Sequence, residues 1–326
     1  MKSYLIGITS FLVAANILLI VLVHRRFPFD AHFASAVVCL DWYLVLFFLL
    51  GHGQFQSFLE TKLDQGLSRT FIFLLVLVVP YLIYVTGTDS FQWFPFLKLV
   101  LYILLPTLLF LTLRNFSERL LWQDALVILG LWLPLDFRWM RDVWVWPNNA
   151  LAYSFNSLLA SCLGVFLFVC LRRLGRVGYQ YCFERRDWVI GVRNFLIFAP
   201  IAITIGIYSG FIALSKHFAY PWEIALSGAG IFIFIAIPEE LLFRGIIQNF
   251  VERTFLKPTP ALIVTSLIFG ASHLNNGPKP DWRYFLLASI AGLFYGNAYT
   301  QTGKLLAPAI VHTLVDTFWR GFFRGT

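Results

Sequence analysis

Charge is the first scarcity in this chain. Asp, Glu, Lys and Arg make up 13% of its 326 residues against 59% apolar ones, and the mean hydropathy is +0.75. Soluble domains carry roughly 25% charged residues. A soluble fold cannot bury so much apolar surface, so lipid must solvate much of this protein. Cysteine is scarce too. Cys39, Cys162, Cys170 and Cys182 form no CxxC pair and no Cys/His cluster of zinc-finger spacing, so they read as small apolar residues rather than disulfide partners or metal ligands. There is no helical HExxH, no repeat of solenoid length and no low-complexity linker. The formal charge of +8 forms no basic stripe long enough to follow a duplex, which excludes nucleic acid as a partner.

What is present is a succession of apolar runs, at approximately 3–23, 32–51, 70–87, 95–113, 120–137, 151–171, 189–214, 222–250, 260–274, 283–300 and 304–323. A membrane-crossing helix needs about 20 mostly apolar residues. The runs therefore predict an all-α, polytopic transmembrane bundle of about 8–11 membrane helices. The first run is too long for a signal-peptide core and lacks a small-residue cleavage site, so it reads as a retained span. The stretch Phe55–Arg69 alternates apolar and charged residues and predicts an amphipathic helix along the inner membrane face. Trp139, Trp144 and Trp146 cluster around Pro147 and suggest an interfacial aromatic belt.

Basic residues orient the runs. Arg172, Arg173, Arg176, Arg185 and Arg186 follow the sixth run, which places that connection in the cytoplasm. The Lys62/Arg69, Arg114/Arg119 and Arg253/Lys257 loops then fall on the same side, while Thr86–Trp93 and Ser215–Pro221 fall opposite. The expectation is a plasma (inner) membrane protein with a cytoplasmic N-terminus. His24, Arg25 and Arg26 run against this scheme.

A charge inside a membrane helix costs on the order of 3 kcal/mol on insertion scales, so it persists for a reason. Asp41, Lys98 and Asp124 lie near the ends of their runs and read as structural. The last four runs differ. Glu239, Glu240 and Arg244 interrupt a stretch that is otherwise apolar from Ile231 to Ile247. Glu240 and Arg244 share a helix face and can pair. Glu239 points elsewhere with no local cation, and is the better candidate base. Pro238 removes a backbone donor and is expected to kink the helix there, opening a polar pocket. The ninth run ends Phe269-Gly-Ala-Ser-His273, a thin surface that lets a neighbouring helix approach. In the eleventh run His312 and Asp316 are four apart, again on one face.

These residues resemble three motifs of the CAAX-processing and bacteriocin-processing intramembrane proteases, the Abi or CPBP family. Glu239, Glu240 and Arg244 meet Glu-Glu-x-x-x-Arg, Phe269 and His273 meet Phe-x-x-x-His, and His312 and Asp316 meet His-x-x-x-Asn/Asp. The resemblance covers roughly residues 189–326 as a protease core and leaves 1–188 as a multi-span region of unassigned role. It implies an intramembrane endopeptidase acting on a peptide or protein substrate at the bilayer. Glu239 and His273 would activate a water, His312 and Asp316 would stabilise the oxyanion, and Glu240 and Arg244 would brace the site.

Asp316 leaves alternatives open: it is protonated, it orients His312, or it joins a metal site, since two histidines and a carboxylate suit Zn²⁺. A metal-free glutamate mechanism is the preferred expectation, with zinc as the other. Intramembrane charges also mark transport pathways, so a transporter or a bacteriocin-immunity protein is the competing reading.

Overall fold

The computed structural model describes residues 2–23, 28–112, 119–255, 257–277 and 279–325. His24, Arg25, Arg26 and Arg114, invoked above for orientation, lie outside the described residues. The chain is 78% helical, and its contacts divide it into two units: Met1–Phe116 with Trp122–Arg173, and Leu174–Thr326 with Ser117–Leu121.

The first unit holds α1 (Lys2–Val23), α2 (Ala31–Leu50), α3 (Gly53–Leu63), α4 (Leu67–Gly87), α5 (Trp93–Leu111), α6 (Trp122–Asp136) and α7 (Ala152–Leu171). In α7, 78% of the apolar window is buried, against 6% in α1. The former is the centre of this unit and the latter turns its apolar side chains outward. The charges within the runs have partners. Asp41 accepts from Asn16 Nδ2 at 2.7 Å, and Lys98 reaches Asp142 at 2.7 Å. Asp124 and Arg172, both fully or nearly buried, pair at 2.8 Å. Their structural reading therefore has a concrete form.

Two expectations need correction here. The amphipathic segment is shorter than Phe55–Arg69: α3 stops at Leu63, Gly66 turns at φ 128, and Leu67–Arg69 open α4. That positive φ is a conformation glycine adopts without steric cost, and it separates the two helices. Trp144 is not part of an aromatic belt. It is completely buried, donates from Nε1 to Asn156 Oδ1 at 2.7 Å, and packs on Tyr43, Tyr81, Tyr84 and Phe155. Trp139, by contrast, is 63% exposed.

The second unit holds α8 (Arg185–Tyr208), α9 (Pro221–Thr254), α10 (Pro258–Ser272), α11 (Trp282–Thr302) and α12 (Leu306–Phe322). A reciprocal cap starts α8, with the Asp187 carboxylate accepting from Glu184 N at 2.9 Å. A strand, β1 (Ile212–Leu214), pairs antiparallel with β2 (Phe323–Gly325) and closes one end.

Glycines let the helices close up. A Cβ at Gly270 would collide with Ser289 Oγ and with the Phe285 carbonyl 2.6 Å away, so α10 lies directly against α11. A Cβ at Gly292 would come within 2.9 Å of Ser266 Cα, and one at Gly191 within 2.7 Å of Ile310. The close approach expected at Gly270-Ala271-Ser272 is thus made by α11.

Each of the apolar runs returns as a helix, and the protein is a multi-pass integral membrane bundle. Among the described residues seven helices are long and apolar enough to span by themselves: α1, α2, α4, α5, α7, α8 and α9. Helix α10 is apolar but has 15 residues.

Candidate functional site

Helix α9 is not uniformly α-helical. Wide π-type turns run over Phe232–Ala236 and Leu241–Gln248, with a short α segment, Ile237–Glu240, between them. Pro238 sits in that segment. Proline cannot donate to the preceding turn and its ring crowds the carbonyl four residues back. Wide turns are one way a helix relieves this, and they concentrate at functional sites. At Pro238, where the sequence predicts a kink, the helix carries these widened turns, and Glu239 and Glu240 lie between the two widened stretches.

Glu240 is the anchor. Its Oε2 is 3.1 Å from Arg244 Nε and its Oε1 accepts from Arg244 Nη1 at 3.3 Å, with both side chains fully buried. Arg244 also donates from Nη2 to the Gly292 carbonyl at 3.2 Å, a reach made possible by the close packing of α11. Its guanidinium lies over the rings of Phe269 (4.5 Å) and Tyr295 (5.2 Å). A cation desolvated this completely needs such partners to be tolerated.

The same Glu240 Oε1 lies 2.9 Å from His312 Nδ1. That contact turns Nε2 of the imidazole toward Glu239 Oε2 (3.9 Å) and Asp316 Oδ2 (3.8 Å). His312 is therefore the meeting point of the first and third motifs. Tyr295 lies flat on it, with ring centroids 4.8 Å apart and planes at 19°, and Phe269 meets it edge-on at 5.9 Å. Glu239 and Asp316 keep 27% and 32% of their side chains open, whereas Glu240 keeps none. The two partly open carboxylates are the ones a solute can reach. Glu239 Oε2 is buried and has no hydrogen-bond partner.

His273 belongs to the site by a different route. It follows the last turn of α10, where carbonyls lack intrahelical donors. Its Nδ1 lies 2.8 Å from the Phe269 carbonyl and 3.0 Å from Ser272 Oγ. The tautomer that donates from Nδ1 to Phe269 leaves Nε2 as an acceptor. Among the described residues no hydrogen bond or ion pair joins His273 to Glu239. Phe269 connects the two histidines instead, its ring 4.6 Å from that of His273 and 5.9 Å from that of His312. This gives the aromatic residue of the second motif a physical role: it carries Arg244 on one face and contacts both histidines.

All seven residues picked out by the motifs thus fall in one neighbourhood. The sequence reading missed the aromatic contribution of α11, from Tyr284 and Tyr295. Tyr284 meets His273 at 5.0 Å. The available signal was two tyrosines about three helical turns apart, hence on one face. Among the described residues no group of three or more His, Cys, Asp or Glu side chains is arranged to hold a metal ion.

Residues 221–318 match the family described as type II CAAX prenyl endopeptidase Rce1-like. The matched stretch runs from the start of α9 into α12 and holds every residue of the three motifs, in agreement with the resemblance they carry. An uncharacterized protein of Bacillus subtilis (strain 168), YpbD, is 32% identical over 84 residues, which is 26% of this chain and 39% of that protein. The chain therefore spans well under half the length of this relative. No solved structure matches the chain.

Proposed function

We propose that this chain is an intramembrane endopeptidase that hydrolyses a peptide bond near the membrane face with a water activated by Glu239 and His273. The observation that carries the reading is the division of labour between two adjacent carboxylates. Glu240 is fully buried and shared between Arg244 and His312, while Glu239 is partly open with an unpartnered oxygen. One is held and the other is free to take a proton.

In the step that follows, Glu239 accepts a proton from water as the water oxygen bonds to the scissile carbonyl carbon. The carbonyl electrons move onto oxygen, and His312 Nε2, oriented by Glu240, stabilises that charge. The oxyanion then collapses, the C–N bond breaks, and the proton taken from water is delivered to the leaving nitrogen. The products are a carboxylic acid and an amine. His273, with Nδ1 engaged by Phe269, offers Nε2 to the same water. Asp316 faces His312 from the third motif and orients it, while Arg244 keeps Glu240 in place. Residues 189–326 form the protease core in this reading, and 1–188 serve as a membrane scaffold. The excess of arginine after α7 supports a cytoplasmic placement of that connection, and with it a cytoplasmic N-terminus in the plasma membrane.

The test is cleavage of a quenched fluorescent peptide ending in a farnesylated CAAX sequence by purified protein in proteoliposomes. Wild type cleaves it, and Glu239→Gln and His273→Ala each lower kcat by roughly 10²- to 10⁴-fold. Variants that cleave as fast as wild type would sink the reading. Substrate-dependent flux surviving in Glu239→Gln would favour a transporter.

A further inference from the structure

Each histidine of the site carries a tyrosine from α11, a helix that holds none of the three motifs. Tyr295 stacks on His312. Tyr284, about three turns nearer the end closed by β1 and β2, meets the His273 ring at 62° and 5.0 Å. Its ring also packs against Phe211, at 5.2 Å. The Asn276 carboxamide faces its hydroxyl, and the anions whose field reaches it are Asp316 and Glu239. Tyr284 therefore stands against the ring of His273 and within electrostatic reach of the two partly open carboxylates.

The hydrogen-bonding inventory there is unbalanced. Glu239 Oε2 is a buried acceptor without a donor. Asp316 makes no hydrogen bond among the described residues, and its nearest cationic approach is the 3.8 Å to His312 Nε2. Peptide hydrolysis adds another anionic oxygen to this acceptor-rich place. An oxyanion needs donors already aimed at it. His312 Nε2, lying between two carboxylates, supplies one donor; the Tyr284 hydroxyl, on the ring that contacts His273 and with Asn276 beside it, is placed to supply a second. A phenol donates readily and carries no charge to desolvate.

We propose that Tyr284 is a catalytic residue, its hydroxyl donating a hydrogen bond to the scissile carbonyl oxygen as that oxygen becomes anionic. Asn276 and Phe211 act as positioning residues that hold the phenol in place. The assignment rests on the endopeptidase reading above.

The experiment compares Tyr284→Phe, Tyr284→Ala and Glu239→Gln on the farnesylated reporter peptide. Tyr284→Phe keeps both ring contacts, so a purely structural tyrosine would leave it fully active. The expected result is a fall in kcat of about 10²-fold with KM within about twofold of wild type, as for loss of one oxyanion donor. Unchanged kcat in Tyr284→Phe beside an inactive Glu239→Gln would overturn the tyrosine's role and leave the protease reading standing. Full activity in Glu239→Gln would remove the protease reading itself. A readout independent of turnover is the ¹⁹F resonance of 3-fluorotyrosine placed at 284 in the full chain. It should move in both Asp316→Asn and Glu239→Gln. A resonance indifferent to both changes would place the hydroxyl away from the carboxylates and overturn the proposal even if the reporter is never cleaved.

Discussion

Tyr295 and His312 are stacked face to face in the interior of the second unit, one on α11 and the other on α12. The stack fixes the plane of the imidazole, and Glu240 at Nδ1 fixes its rotation within that plane. Buried aromatic pairs contribute about 0.5–1.5 kcal/mol beyond the area they cover. Tyr295→Leu should therefore destabilise by more than area alone. It should also lower kcat more than it raises KM, because the imidazole loses its orientation. Thermal unfolding in detergent beside steady-state kinetics checks both parts.

Glu240→Gln removes the shared carboxylate and leaves the Arg244 guanidinium buried without its anion. Breaking one side of a buried pair costs about 3–5 kcal/mol. The variant should express poorly or unfold at markedly lower temperature, whereas Glu239→Gln should unfold close to wild type while losing activity. Equal stability of the two variants would contradict the division between a braced and a free carboxylate.

Gly270→Ala should be destabilising although alanine is the better helix former. The added Cβ meets Ser289 Oγ and the Phe285 carbonyl oxygen, and the carbonyl cannot rotate away. Overpacking of this kind costs about 1–3 kcal/mol. Ser289→Gly combined with Gly270→Ala should recover only part of the loss, since the carbonyl contact remains.

The loop after His273 has its own pH dependence. Asp281 caps α11 by accepting from Arg283 N at 2.9 Å, and Arg283 donates in turn to the Gly210 carbonyl at 2.7 Å. Hydrogen bonds from Arg283 hold the Asp281 carboxyl below its ordinary value. An acid whose folded value is depressed stabilises the fold above the unfolded value, and that contribution disappears as pH falls through the folded one. Protection of the 274–281 loop against amide exchange should therefore be constant above about pH 4 and decline below it. In Asp281→Asn the decline should be absent.

Metal content separates the two mechanisms left open by Asp316. The glutamate mechanism predicts no stoichiometric metal in detergent-purified protein and activity that survives chelators. Near-stoichiometric zinc lost in both His273→Ala and His312→Ala would instead make Asp316 a third ligand.

Much of this was legible in the sequence because the signals are local. Run length gave the helices, and four-residue spacing gave the Glu240–Arg244 pair and the shared face of His312 and Asp316. What stayed hidden depends on tertiary neighbours. An apolar run does not say which helix will offer it an aromatic ring, so Tyr284 and Tyr295 read as ordinary span residues. Trp144 looked like its exposed neighbour Trp139 until Asn156 supplied a buried acceptor for its indole. Pro238 announced a disturbance in α9, but whether a proline kinks a helix or widens it is decided by the packing on both sides.

The brevity of α10 has a consequence for the bilayer itself. Fifteen residues extend roughly 23 Å at the α-helical rise, against about 30 Å of hydrocarbon. If α10 crosses the bilayer beside lipid, that lipid must thin or the helix end must lie below the headgroups, which would put His273 at the foot of a dimple in the membrane surface. Hydrophobic mismatch carries a cost for every ångström of thickness. Acyl-chain length thereby becomes a physical variable for this protein: thicker membranes deepen the dimple and lengthen the route by which water reaches His273, and thinner ones shorten it.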